Sequence, residues 1–78
     1  MFEFDNLKRS YISAVQFGLI AGSGYIESKR GNDILHKFCE NLVDNSNYND
    51  FDKTNMKKEL EIVKEALSKE IELSYRRK

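Results

Sequence analysis

The sequence predicts an all-α protein, a small three-helix bundle with a long C-terminal helix. Three observations carry that prediction. No proline occurs among the 78 residues, so nothing in the chain breaks a long helix. Apolar residues between Thr54 and Arg77 recur at helical spacing with no glycine among them. And the 17-residue window Ser10–Ile26 carries no charge, although 33% of the chain is Asp, Glu, Lys or Arg.

Helix 1 is expected over about Asp5–Ala21. Asp5 or Asn6 suits the N-cap, where a short polar side chain accepts from free backbone N–H groups. Leu7, Tyr11, Ala14, Gly18 and Ala21 form one face, Ile12, Val15 and Leu19 an adjoining one, and Phe17 and Ile20 a third. A helix apolar on so many sides is normally enclosed by other elements. Gly22 or Gly24 ends it, since glycine accepts the left-handed C-cap conformation. Ala14, Gly18 and Gly22 stand four residues apart, which predicts that helix 3 or a second subunit crosses here at close range. Gly18→Leu would then disrupt folding or assembly by overpacking.

The same window is too short for a membrane span. A span needs about 20 predominantly apolar residues. This one contains Ser10, Ser13, Gln16 and Ser23 and ends in Gly-Ser-Gly. A central helix of a soluble domain is the expectation, with no membrane partner.

Tyr25–Gly31 reads either as an early start of helix 2 or as a connecting turn, with Gly31-Asn32 as punctuation. Asn32 or Asp33 then caps helix 2 over about Asp33–Val43, with Ile34, Leu35, Phe38, Leu42 and Val43 as its apolar stripe. Asp44–Lys53 reads as a polar loop, its Tyr48 and Phe51 tucked back on the core. Helix 3 is expected over about Thr54–Arg77, capped by Asp52 or Thr54. Met56, Leu60, Val63, Leu67 and Ile71 make its main stripe, at spacings of 4, 3, 4 and 4. Ile62, Ala66 and Leu73 form a second set roughly 120–140° away, at about 100° per residue. Helix 3 outruns the other two, so its C-terminal turns either protrude and expose Ile71, Leu73 and Tyr75 or fold back onto helix 1.

One domain, residues 1–78, is all that this length supports. A chain so small, without disulfides, often gains stability by associating. A single cysteine, Cys39, fits a reducing compartment. The N-terminus has no basic region followed by an apolar run, so a cytoplasmic location is expected. Net charge is zero, which counts against a dedicated nucleic-acid binder. Charge is unevenly spread: +1 over residues 1–31, −3 over 32–53 and +2 over 54–78.

No residue set makes a convincing catalytic site, metal site or cofactor site. His36, Cys39 and Glu40 stand at i, i+3 and i+4 of helix 2. A histidine beside a thiol can activate it, but no glycine-rich oxyanion loop accompanies this pair, and a small buried residue suits position 39. Structural zinc wants four ligands, mostly Cys and His; one of each is present, so a full site would need carboxylates or two subunits. Asp50-x-Asp52-x-Thr54 with Glu61 at position twelve echoes a calcium loop, but Asn55 replaces the turn glycine and Lys57 and Lys58 fall inside. Gly18-x-x-x-Gly22-x-Gly24 lacks the Lys-Ser/Thr ending of a phosphate loop.

The function expected is therefore a non-enzymatic module that binds another protein. An inhibitor, immunity protein or accessory regulator of bacterial or phage type suits the description, with a homodimer as the related possibility. Ile62, Ala66, Ile71, Leu73 and Tyr75 are the candidate partner-binding residues, and an amphipathic helix in a groove is the expected mode. The alternative is a helix-turn-helix regulator that gathers Lys8, Arg9, Lys29, Arg30, Arg76, Arg77 and Lys78 into a basic patch.

Overall fold

The computed structural model describes residues 3–76. Among them are three helices and no strand: α1 (Phe4–Ile20), α2 (Tyr25–Asp44) and α3 (Asp50–Arg76). The expected three-helix fold with a long C-terminal helix is the observed one. The described helices are about 26, 30 and 40 Å long at 1.5 Å per residue. The protein measures 45 × 18 × 17 Å. Rods of that length fit such a cross-section only if all three lie lengthwise. The four- and five-residue connections make consecutive helices antiparallel, so α1 runs parallel to α3.

The helix ends follow local chemistry. The stop after α1 is Gly22, at φ +89°, where a side chain would be strained. At the start of α3, Asn49 Oδ1 accepts the N–H of Asp52 at 2.8 Å, and Asp50 and Asp52 add negative charge to the first turn. Position 49, not Asp52 or Thr54, is the cap, so the loop shrinks to residues 45–49. Phe51 then falls in the first turn of α3 and stays 75% exposed rather than tucked inward. At the start of α1, neither Asp5 nor Asn6 caps; both lie inside the helix.

The core consists of Tyr11, Val15, Cys39, Val43, Leu60, Leu67 and Ile71, flanked by Leu7, Ile12, Leu35, Met56, Val63 and Tyr75 among others. The α3 stripe is thus the one expected. The α2 stripe is so only in part: Val43 is buried and Leu35 packs on the core. α2 begins at Tyr25 and passes unbroken through Gly31 and Asn32. Its buried face is Ser28, Asn32, His36, Cys39 and Val43, at spacings of 4, 4, 3 and 4, while Ile34 (60%) and Phe38 (57%) face outward. Of the polar positions that point in, Asn32 finds hydrogen-bond partners there, whereas Ser28 Oγ and His36 Nε2 do not. Tyr11 donates to Asn32 Oδ1, and Asn32 Nδ2 donates to Lys64 O and Ser68 Oγ, each at 3.1 Å.

Two further expectations fail. α1 is not enclosed: Phe17 and Ile20 are exposed. Nor does any helix cross closely over its small residues. A Cβ on Gly18 would meet only Ser23 Oγ at 3.5 Å, an ordinary contact, and one on Gly22 nothing within 4 Å. Ala14 and Gly18 instead line a groove of about 190 Å³ between α1 and α2. The overpacking expected of Gly18→Leu therefore has no basis within this fold. Of the two arrangements open to the C-terminal turns of α3, packing holds for Ile71 and Tyr75, while Leu73 stays 56% exposed. Tyr25 stacks edge-on against Tyr75 at 5.7 Å, and Ile71 is fully buried.

Candidate interaction face and the α2–α3 seam

Position along α3 sorts the residues singled out for partner binding. Ile71 and Leu67 belong to the core side of the helix. Ile71 is 0% exposed, so no partner can reach it, which removes it from the candidate set; Tyr75 is half-buried on Tyr25. Ile62 (69% exposed), Ala66 and Leu73 (56%) face out together. With Lys69 they stand at i, i+4, i+7 and i+11, the seam spacing of a helix that pairs with another helix. At about 1.5 Å per residue the seam is about 16 Å long, and Phe51 extends its line by another three turns. At the C-terminal end, Ser68, Lys69, Glu72, Leu73 and Arg76 line a groove of about 340 Å³.

That end is anchored by Glu72. Its carboxylate accepts from the Tyr25 hydroxyl and lies 3.5 Å from Lys29 Nζ. Tyr25 first, and Lys29 next, hold the Glu72 carboxyl below the ordinary carboxylate range. Lys29, bonded to the Tyr25 hydroxyl, is correspondingly raised.

Among the described residues, the basic side chains do not form one patch. Lys8 lies 3.3 Å from Glu59 and Lys29 pairs with Glu72. Those carboxylates are thirteen residues apart on α3, about 20 Å. Arg30 pairs with Glu27 on its own helix. Arg9 and Arg76 are exposed; Arg77 and Lys78 lie outside the described residues. The lengthwise packing also differs from the 90–120° crossing of a helix-turn-helix. No described helix is long and apolar enough to cross a membrane.

The residues with reactive potential, His36 and Cys39, both lie on the buried face of α2. Cys39 turns into the core, and burial pushes its thiol up from the ordinary value, the opposite of activation. His36 turns toward α3. It is 3% exposed, with Nδ1 3.7 Å from Glu40 Oε1 and Nε2 3.8 Å from Glu61 Oε1. Nε2 is buried without a hydrogen-bond partner, as is Ser28 Oγ beside the α1–α2 groove. Glu61 is the residue that sequence reasoning did not connect to His36. The signal lies in the buried face of α2: once residue 36 is known to point inward, the α3 residue beside Leu60 is its neighbour. In the calcium echo, Thr54 Oγ1 bonds the Asp50 carbonyl, a local helix contact.

No protein-family model, curated protein or solved structure matches this chain.

Proposed function

We propose that this protein is a non-catalytic binding module whose α3 outer face receives an amphipathic helix of another protein. The observation that carries the reading is the exposed row Ile62, Ala66 and Leu73 at seam spacing, on the side of α3 opposite its buried residues Leu60, Leu67 and Ile71. Large apolar side chains in line on a small protein's surface mark contact sites. Lys69 interrupts the row and Arg76 ends it, so the partner helix carries acidic residues opposite those two. Such a module acts as an inhibitor, immunity protein or accessory regulator, altering its partner by occupying a surface. The reducing compartment suggested by the lone buried thiol suits a cytoplasmic partner.

A photo-crosslinking amino acid at Ile62 or Leu73, introduced in the native host, tests this. The expected result is one discrete adduct at both positions and none at Arg9 on α1. The double variant Ile62→Glu/Leu73→Glu should abolish that adduct while shifting unfolding free energy by no more than about 0.5 kcal/mol, as exposed sites do. An adduct that forms equally at Arg9, or that survives the double variant, refutes the α3 face.

A further inference from the structure

We propose that His36, Glu40 and Glu61 bind a divalent transition-metal cation that clasps α2 to α3. A nitrogen of His36 and one oxygen from each glutamate lie within 4.8 Å of one another. Two of the three share a helix at i, i+4, a spacing that puts both on one face. The third comes across the seam from α3. Proximity of carboxylates alone would say little. The independent observation is the imidazole: it is buried, its Nε2 makes no hydrogen bond, and that nitrogen faces Glu61. A buried ring nitrogen normally has a partner. A cation supplies one.

The geometry and the donor chemistry agree with this assignment. Ligands held at about 2.0–2.2 Å from a tetrahedral zinc-class ion stand about 3.4 Å apart. His36 Nε2 and Glu61 Oε1 are 3.8 Å apart, so Glu61 needs to move only a few tenths of an ångström. Glu40 Oε1 lies 3.7 Å from the other ring nitrogen, Nδ1, and must swing toward the Nε2 side within a set whose ligand atoms lie within 4.8 Å of one another. Both glutamate side chains keep some exposure and can make that movement, whereas His36 is fixed by packing. Among the described residues, neither carboxylate pairs with a lysine or arginine within 4 Å; Lys57 is held instead by Asp44 at 2.9 Å. The cluster borders a groove of about 330 Å³ lined by Glu40, Thr54, Lys57, Lys58 and Glu61. Water entering there completes the coordination shell. One imidazole and two carboxylates suit Zn²⁺, Co²⁺ or Mn²⁺ rather than a soft, thiolate-seeking ion.

The test uses the untagged full chain stripped with a chelator, titrated with Co²⁺ and then displaced by Zn²⁺. One equivalent of Co²⁺ should bind, with visible ligand-field absorption, and Zn²⁺ should raise the melting temperature. Loss of a residue that merely orients a ligand typically weakens metal binding about 10–100-fold. Glu61→Gln, which removes a ligand, should therefore cost about tenfold or more. Its circular dichroism and metal-free melting temperature should stay at the parent values, since the side chain is half exposed. His36→Gln should lose binding as well. Failure of the folded parent to bind Co²⁺ or Zn²⁺ overturns the site. So does binding that survives both substitutions, which would place the ion on surface carboxylates.

Discussion

Asn32 stands where the three helices meet. Its carboxamide accepts from Tyr11 on α1 and donates to Lys64 O and Ser68 Oγ on α3. A buried polar group of this kind contributes only while its partners are in place. Asn32→Leu keeps the branched shape but takes away the Oδ1 acceptor of the Tyr11 hydroxyl, whose remaining acceptor is the residue-32 carbonyl at 3.3 Å. The expected loss is about 1–3 kcal/mol, read by urea unfolding. Adding Tyr11→Phe should recover part of that loss, because removing both partners leaves less unsatisfied than removing one. If the double variant is no more stable than Asn32→Leu alone, the network is not what holds Asn32. The same burial sets a pH dependence. Tyr11 and Cys39 are both raised, chiefly by burial, above ordinary values of 10.0 and 9.0. A raised folded value means stability that is full below the unfolded value and is lost as pH rises. Urea midpoints should hold up to about pH 9 and then fall, and Tyr11→Phe should flatten the upper part of that fall. A parent profile that stays flat to pH 11 would contradict the burial argument.

At the scale of the helices, the glycines separate what local chemistry dictates from what packing decides. Gly22 takes φ +89° and ends α1, a role readable from sequence because only the backbone is involved. Gly31 reads as punctuation by the same local logic, yet it sits inside α2, where an added Cβ would meet nothing within 4 Å. Gly31→Ala should therefore stabilise the fold by about 0.5–1 kcal/mol, and Gly22→Ala should destabilise it by about 1 kcal/mol. Opposite signs in thermal melts are the check; a destabilising Gly31→Ala would mean α2 breaks there. The same divide explains the stripes. Met56 to Ile71 on α3 was legible because polarity and period agree. On α2 they disagree: Ile34 and Phe38 outweigh Ser28, Asn32 and His36 in hydrophobicity, but that polar face turns in, tied through the bonds of Asn32 to Tyr11, Lys64 and Ser68. Those partners lie 21 to 36 residues away in sequence, beyond any local window. The outer face of α3 was legible in Ile62, Ala66 and Leu73, whereas Ile71 and Tyr75 needed the register between α2 and α3. Glu61 needed it too.

For the molecule as a whole, the distribution of large apolar side chains is the governing fact. Among the described residues, seven apolar ones form the buried core, while Phe17, Ile20, Ile26, Ile34, Phe38, Phe51, Ile62 and Leu73 are all more than half exposed. Scattered exposure of this kind is ordinary on a large protein. On a chain of 9.1 kDa it leaves the core thin, and a single core of that size rarely supplies more than about 3–5 kcal/mol. A protein built this way should melt low alone and gain stability when its surface is covered. Binding that stabilises only the folded state adds about 2.7 kcal/mol when the free partner is at 100 times its dissociation constant. At roughly 4–8 °C per kcal/mol for a domain of this length, that is a rise of roughly 10–20 °C. A second copy is one such partner, and it is distinguished by concentration. If self-association covers α3, the melting temperature should climb between micromolar and millimolar protein, sedimentation should move from monomer toward dimer, and Ile62→Glu/Leu73→Glu should remove both trends. If the melting temperature is independent of concentration and the protein sediments as a monomer throughout, α3 is not a dimer face, and its cover must come from a different protein, the one the crosslinks at Ile62 and Leu73 would capture.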